Sequence, residues 1–165
     1  MANGLMNGIG KNQFGPNQKM TRAQFVTMLG RMDGIRDHSQ KEKSGYVDVN
    51  ENAYYTAHLI WASKNGIVKG VGKNRFAPEA GISREDMATI VCRYLKYKNK
   101  VLKNAPGAVK PFKDAGNISS YAKKSVETLR KVGILKGNNG YVYPKNSFKR
   151  TEGAAILARL HKKLK

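Results

Sequence analysis

Apolar positions recur at helical spacing in five stretches of the chain. Ala53, Ala57, Ile60 and Trp61 share one face of a run over 53–65, and Tyr121, Ser125, Val126, Leu129 and Val132 share one over 120–132. Gly66 and Gly133 follow directly, as a left-handed C-terminal cap requires. Three more runs carry Val26, Met28, Leu29 and Met32, then Ala88, Ile90, Val91 and Tyr94, then Ala154, Ile156, Leu157 and Leu160. Thr21 and Ser83 read as N-caps of the first two. Gln24 and Asp86 stand in capping-box position, and Met20 and Ile82 staple onto Phe25 and Met87. In the last run Lys149 stands where the cap belongs and Gly153 where the staple partner belongs, which predicts a weaker helix start.

These runs are parts of a repeat. Residues 3–16 and 65–78 agree at eight of 14 positions, and the register continues without a gap through Arg22 and Arg84, Thr27 and Thr89, and Arg31 and Arg93. A third copy runs through Gly133-Ile134-Leu135-Lys136-Gly137, Gly140-Tyr141-Val142-Tyr143-Pro144 and Phe148-Lys149-Arg150-Thr151-Glu152, one residue shorter in the loop. Two copies have a front half, an aromatic-x-Asp (Tyr46-Val47-Asp48, Phe112-Lys113-Asp114) before the first helix; the first copy begins at its middle. One such unit is too small to bury its apolar stripe, so the copies must pack on one another. The predicted fold is mostly α: tandem helix–loop–helix repeats with short extended loop segments, forming one compact domain. Residues 1–34 are the second half of repeat 1, 45–98 repeat 2 and 111–165 repeat 3, with 35–44 and 99–110 as exposed linkers.

Charge narrows the range of partners. The 165 residues hold 31 Lys and Arg against 11 Asp and Glu, a net charge of +20. A field of that sign draws polyanions: nucleic acid, anionic lipid surfaces and anionic wall polymers all qualify. No stretch reaches the ~20 apolar residues of a membrane span. The start, Met1 to Gly8, lacks the basic and apolar regions of a signal peptide, so export would need a signal upstream. Cys92 is the single cysteine, which excludes an intrachain disulfide, and it lies in an apolar helical run as a packing residue. Catalytic chemistry is hard to find. His38, His58 and His161 lack metal-ligand spacing, and no nucleophile elbow, phosphate loop or zinc motif is present. The segment Asp48 to Asn52 lacks the turn glycine and distal glutamate of a calcium loop and reads as a helix lead-in. The expectation is a non-enzyme with no cofactor and no metal.

The order aromatic-x-Asp, helix, Gly-Ile-x-x-Gly, loop, aromatic-x-Pro, then Thr-Arg-Ala-Gln resembles the S-layer homology family over essentially the whole chain. The resemblance implies a pseudo-threefold helical assembly with grooves between repeats. It implies noncovalent attachment to secondary cell-wall polysaccharides, often ending in a pyruvate-ketal sugar, at the surface of a bacterium, with other domains of a larger surface protein as cargo. The family's ligand-binding arginine matches Arg22, Arg84 and Arg150. Its loop glycine matches Asn12, Asn74 and Gly140, where asparagine tolerates positive φ. Its first-helix tryptophan is Tyr54 and Tyr121 here.

A ketal carboxylate suits arginine, whose planar guanidinium can grip it with two hydrogen bonds beside the open N–H groups of a helix start. Arg22, Arg84 and Arg150 oppose the local helix dipole, which points to a use other than helix stability. The alternative use is an ion pair to Asp48 or Asp114 of a neighbouring repeat. Tyr54, Tyr121 and Trp61 offer faces for sugar stacking, with Trp61 on the core stripe. Asp48 and Asp114 are read as braces of the first helix that also reach ligand. Two other functions remain open: a general polyanion or nucleic-acid binder driven by charge, though without a nucleic-acid motif, and a scaffold for protein assembly.

Overall fold

The structure, a computed structural model, describes residues 15–39, 41–107 and 109–165. Five helices are described: α1 (Arg22–Met32), α2 (Thr56–Lys64), α3 (Arg84–Tyr97), α4 (Lys123–Lys131) and α5 (Arg150–Leu164). Among the described residues there is no strand, and extended segments meet only as isolated bridges. The mostly helical fold is as the apolar spacing predicts.

Helix ends follow from local chemistry. Thr21 Oγ1 accepts from the Gln24 N–H at 3.1 Å, and Gln24 Oε1 accepts from the Thr21 N–H at 3.1 Å, a closed capping box. Ser83 Oγ accepts from the Asp86 N–H at 3.2 Å. At the far ends Gly66 (φ 66°) and Gly133 (φ 74°) are left-handed, and the N–H groups of Ile67 and Ile134 reach back to the carbonyls of Ala62 and Leu129. The front helices start later than the periodicity predicts. Residues 50–53 turn first, with the Ala53 N–H on the Asn50 carbonyl at 3.0 Å. Tyr121 falls in a 3-10 turn, Ser120–Ala122, and is 57% exposed, while its neighbour Ala122 enters the core.

The weaker start predicted for α5 is present in one respect, since Lys149 makes no side-chain cap bond, and offset in another. Glu152 reaches back to accept from the Lys149 N–H at 2.7 Å, the same bond Gln24 makes to Thr21 in α1, so one half of the capping box survives. A Cβ on Gly153 would meet Met20 Sδ at 2.4 Å: the missing side chain makes room for Met20 of the first copy.

The copies close into a ring. The Met20 N–H donates to the Phe148 carbonyl (2.8 Å), Phe148 to Ile82 (3.2 Å) and Ile82 to Met20 (3.0 Å). All three side chains are buried. Helix-start donors run round the same ring in the opposite sense. Arg22 and Ala23 donate to Ala80 and Pro78 of the second loop, Arg84 and Glu85 to Asn146 and Pro144 of the third, and Arg150 to Gln18 of the first. Orphan N–H groups of each second helix are thus satisfied by the next copy.

Front-half helices cover the preceding copy, α2 on α1 and α4 on α3. Gly30 of α1 lets the fully buried His58 of α2 approach, since a Cβ there would lie 2.4 Å from His58 Nδ1. The first linker is less free than its polarity predicts. Asp37 accepts from Arg31 Nε (3.0 Å) and Nη2 (2.5 Å) and pairs with His58 Nε2 at 2.8 Å. Asp33 accepts from the Tyr94 hydroxyl (2.8 Å) and Lys98 (2.7 Å). Trp61 is half-buried against Tyr94 and Tyr97, and Cys92 packs beside the core with its thiol pushed up by burial.

Candidate functional site

The loops are shaped from behind by the aromatic-x-Asp motifs. Asp48 accepts from the N–H groups of Phe76 and Ala77, both at 2.8 Å. Asp114 accepts from Val142 (2.9 Å) and Tyr143 (2.8 Å) in the same way. Burial would raise the Asp48 carboxyl, but these amide bonds outweigh it and hold it below the ordinary value. The reading of both aspartates as first-helix braces is therefore corrected: they brace the loop. Asp48 also pairs with Arg75 Nε at 3.5 Å, and among the described residues neither aspartate forms an ion pair with Arg22 or Arg84, whose carboxylate partners are Asp86 and Glu152. Asn74 (φ 56°) and Gly140 (φ 85°) are left-handed, as the tolerance of asparagine predicts, and their carbonyls accept from Val47 (2.9 Å) and Lys113 (2.8 Å). Asn12 lies outside the described residues.

On the other side of each loop lies a cleft between copies. The first holds about 310 Å³ and is lined by Arg22 of α1, Lys69, Asp86 and Arg93 of α3, and Tyr121. Arg22 lies over the Phe76 ring at 4.7 Å and donates to the carbonyls of Phe76 (2.9 Å) and Lys69 (3.2 Å). Burial pulls its guanidinium down from the ordinary value, with Asp86 opposing from 3.8 Å. Asp86 itself accepts from the Tyr121 hydroxyl at 2.7 Å. Burial and this carboxylate raise the Tyr121 phenol, which stays a donor.

The second cleft repeats this set one copy on. It holds about 300 Å³ between Arg84 of α3, Lys136, and Glu152 and Arg159 of α5. Arg84 lies 4.8 Å over the Phe148 ring and pairs with Glu152 Oε1 at 2.5 Å. Tyr141 and Tyr143 stack at 5.6 Å on its rim, both partly exposed.

Arg150 is buried, with its guanidinium lowered by burial and Tyr54 close enough to act on it. Tyr54 is 42% exposed and feels the charges of both Arg150 and Arg31. The structure thus sets Arg22, Arg84 and Arg150 at three copy junctions, Tyr121 in the first cleft and Tyr54 beside Arg150. It keeps Asp48, Asp114, Asn74 and Gly140 for loop shape.

Sequence reasoning missed eight cleft residues: Lys69 and Lys136, Arg93 and Arg159, Tyr141 and Tyr143, and the carboxylates Asp86 and Glu152. The shared register of Arg31 with Arg93, extended to Arg159, was the available signal. It missed Glu85 as well, a buried carboxylate that accepts from the Ser119 N–H (2.9 Å) and hydroxyl (2.8 Å) and from Lys145 (2.7 Å).

Known proteins share this pattern. The S-layer homology domain profile matches residues 2–26, 45–88 and 111–152. An amylopullulanase of Thermoanaerobacterium thermosulfurigenes is 32% identical over 160 residues, which are 96% of this chain and 8% of that protein. Exoglucanase XynX of Acetivibrio thermocellus is 31% identical over 96% of this chain and 14% of its own length. S-layer protein sap of Bacillus anthracis is 29% identical over 96% of the chain and 19% of its own length. The chain spans less than a fifth of each of these relatives, and it matches the named enzymes over the same stretch as the surface-layer protein. Among the described residues no helix is long and apolar enough to cross a membrane. With that profile matched in three stretches, the chain belongs to the S-layer homology family of non-catalytic cell-surface anchoring modules.

Proposed function

We propose that this module holds a larger surface protein onto an anionic cell-wall glycopolymer whose carboxylate-bearing sugars lodge in the clefts between repeats. The observation that carries it is the duplication of one cationic set: Arg22, Lys69 and Arg93 in one cleft, Arg84, Lys136 and Arg159 in the next. Guanidinium groups suit carboxylates because their paired N–H donors match the two oxygens. Tyr121 in one cleft, and Tyr141 and Tyr143 in the other, add ring faces that suit sugar C–H surfaces and hydroxyls.

Arg22 and Arg84 also hold loop carbonyls, so removing them would disturb the fold along with the site. Arg93 and Arg159, a helix turn or more past the helix starts, are better probes: Arg93 holds no carbonyl among the described residues and Arg159 only that of Ile134, at 3.1 Å. In sedimentation with isolated wall sacculi, the double variant Arg93→Ala/Arg159→Ala should keep its circular dichroism and bind at least tenfold more weakly. Unchanged binding would sink the assignment.

The net charge of +20 favours a second reading, binding to polyanions at large. Raising salt from 0.1 M to 1 M shrinks the screening length from about 10 Å to about 3 Å. Charge-field binding should then vanish for DNA and wall alike. Cleft binding should persist on walls alone, and neutral polysaccharide should be ignored throughout.

A further inference from the structure

A groove of about 620 Å³ lies apart from both arginine clefts and shares no lining residue with them. Its walls are α3, α4 and the linker that follows α3. We infer that this groove docks an extended acidic segment of a partner protein, which inserts apolar side chains and pairs with the backbone of residues 101–104.

The floor is apolar. Leu95 is buried, and Cys92 and Leu102 are half-buried against the core. Val101, which also lines the groove, is 98% exposed. An isopropyl side chain wholly in water beside an apolar floor adds to the area that a ligand can bury.

The linker backbone is free as well. The Lys100 N–H donates to the Leu95 carbonyl at 2.9 Å, and the Ala105 N–H to the Lys131 carbonyl at 2.8 Å. Between these two pins, residues 101–104 are neither helical nor turned and make no backbone hydrogen bond among the described residues. A row of free N–H and C=O groups is a template for an added strand. Main-chain bonds then give affinity, and pockets for alternate side chains give selectivity. An acyl chain has nothing to offer these groups, so they favour a peptide.

Charge selects which peptide. Lys96, Lys100 and Lys124 line the groove, none of them in an ion pair among the described residues, and no carboxylate joins them. A second copy of this chain, at +20, would bring like charge. A segment whose apolar residues are flanked by Asp or Glu matches both floor and rim.

Fluorescence anisotropy of the parent chain with fluorescein-labelled Glu-Glu-Leu-Glu-Val-Glu-Glu tests this. Its apolar residues lie two apart, so an extended peptide turns both to one face. It should bind at least tenfold more tightly than Glu-Glu-Ser-Glu-Thr-Glu-Glu, of equal charge, or Lys-Lys-Leu-Lys-Val-Lys-Lys. Lys96→Gln/Lys124→Gln, at two exposed positions, should weaken binding at least fivefold. Arg93→Ala/Arg159→Ala should leave it within twofold, which separates this groove from the wall clefts. With peptide bound, exchange at alternate amides of residues 101–104 should slow at least tenfold.

No binding of the Leu–Val peptide, or equal binding of the two acidic peptides, overturns the inference. So does binding that leaves the amides of residues 101–104 unprotected, or that Arg93→Ala/Arg159→Ala abolishes. Laurate binding more tightly than the peptide would give the groove to an acyl chain instead. None of these results touches the wall reading, which sacculus binding decides separately.

Discussion

Asp37 shows how much a single linker residue can carry. Arg31 grips its carboxylate with two hydrogen bonds, and these, against partial burial and with help from His58, hold its carboxyl down at about 2. His58 is kept neutral by burial, with Asp37 opposing, so its own value is lowered. Both groups bind protons more readily in the unfolded chain, whose ordinary values are about 3.9 for Asp and 6.5 for His. Their stabilisation is therefore complete above about pH 6.5 and falls as acid is added, first through His58 and then through Asp37 between about pH 4 and pH 2. Thermal melts of the parent chain and Asp37→Asn should differ most near neutral pH, and the gap should close between pH 4 and pH 2. A constant gap would place the stabilisation elsewhere. Nothing local marks Asp37 in the sequence, because its partners lie six and 21 residues away. Asp48 and Asp114 were legible as a pair but not in role: each binds amides 28 and 29 residues on, a separation that only the folded loop reveals.

At the scale of elements, helix ends were the most readable feature. The box of Thr21 with Gln24 and the glycines at 66 and 133 are short-range chemistry, complete within a few residues. Helix starts in the front halves were less so, because the turn at Asn50 and the 3-10 turn before α4 compete with a continuous helix. Gly30 is a case where local preference and packing oppose each other. Alanine in mid-helix is favoured over glycine by about 1 kcal/mol. Its Cβ, however, would stand 2.4 Å from His58 Nδ1 and 3.0 Å from Cβ and Cγ of the same residue. These are stiff parts of a buried ring, not the end of a flexible chain, and overpacking of this kind costs about 1–3 kcal/mol. Packing should win. Gly30→Ala should lower the urea midpoint by a net cost on the order of 1 kcal/mol, while a stabilised variant would show that α2 can move away from α1.

For the whole molecule, the repeat register told that copies pack together but not that they close. Open repeat arrays unfold from their ends, since each unit leans only on its neighbours. Here the first copy meets the last through the bonds of Met20, Ile82 and Phe148. Amide exchange at these three positions should proceed only with global unfolding and at matching protection, whereas an end-fraying array would release Phe148 first. The order Met20 to Phe148 to Ile82 was not readable from spacing, because it depends on loops 62 to 128 residues apart meeting at one axis.

That closure bears on how a tethered protein resists tension. A pull on α5 does not strip one unit from a row. It works against the Arg150 bond to Gln18 and the Met20 bond to Phe148 together, and so against the first copy as well as the third. Load applied at one terminus is shared around the ring before any copy yields, as a knot tightens on all its strands.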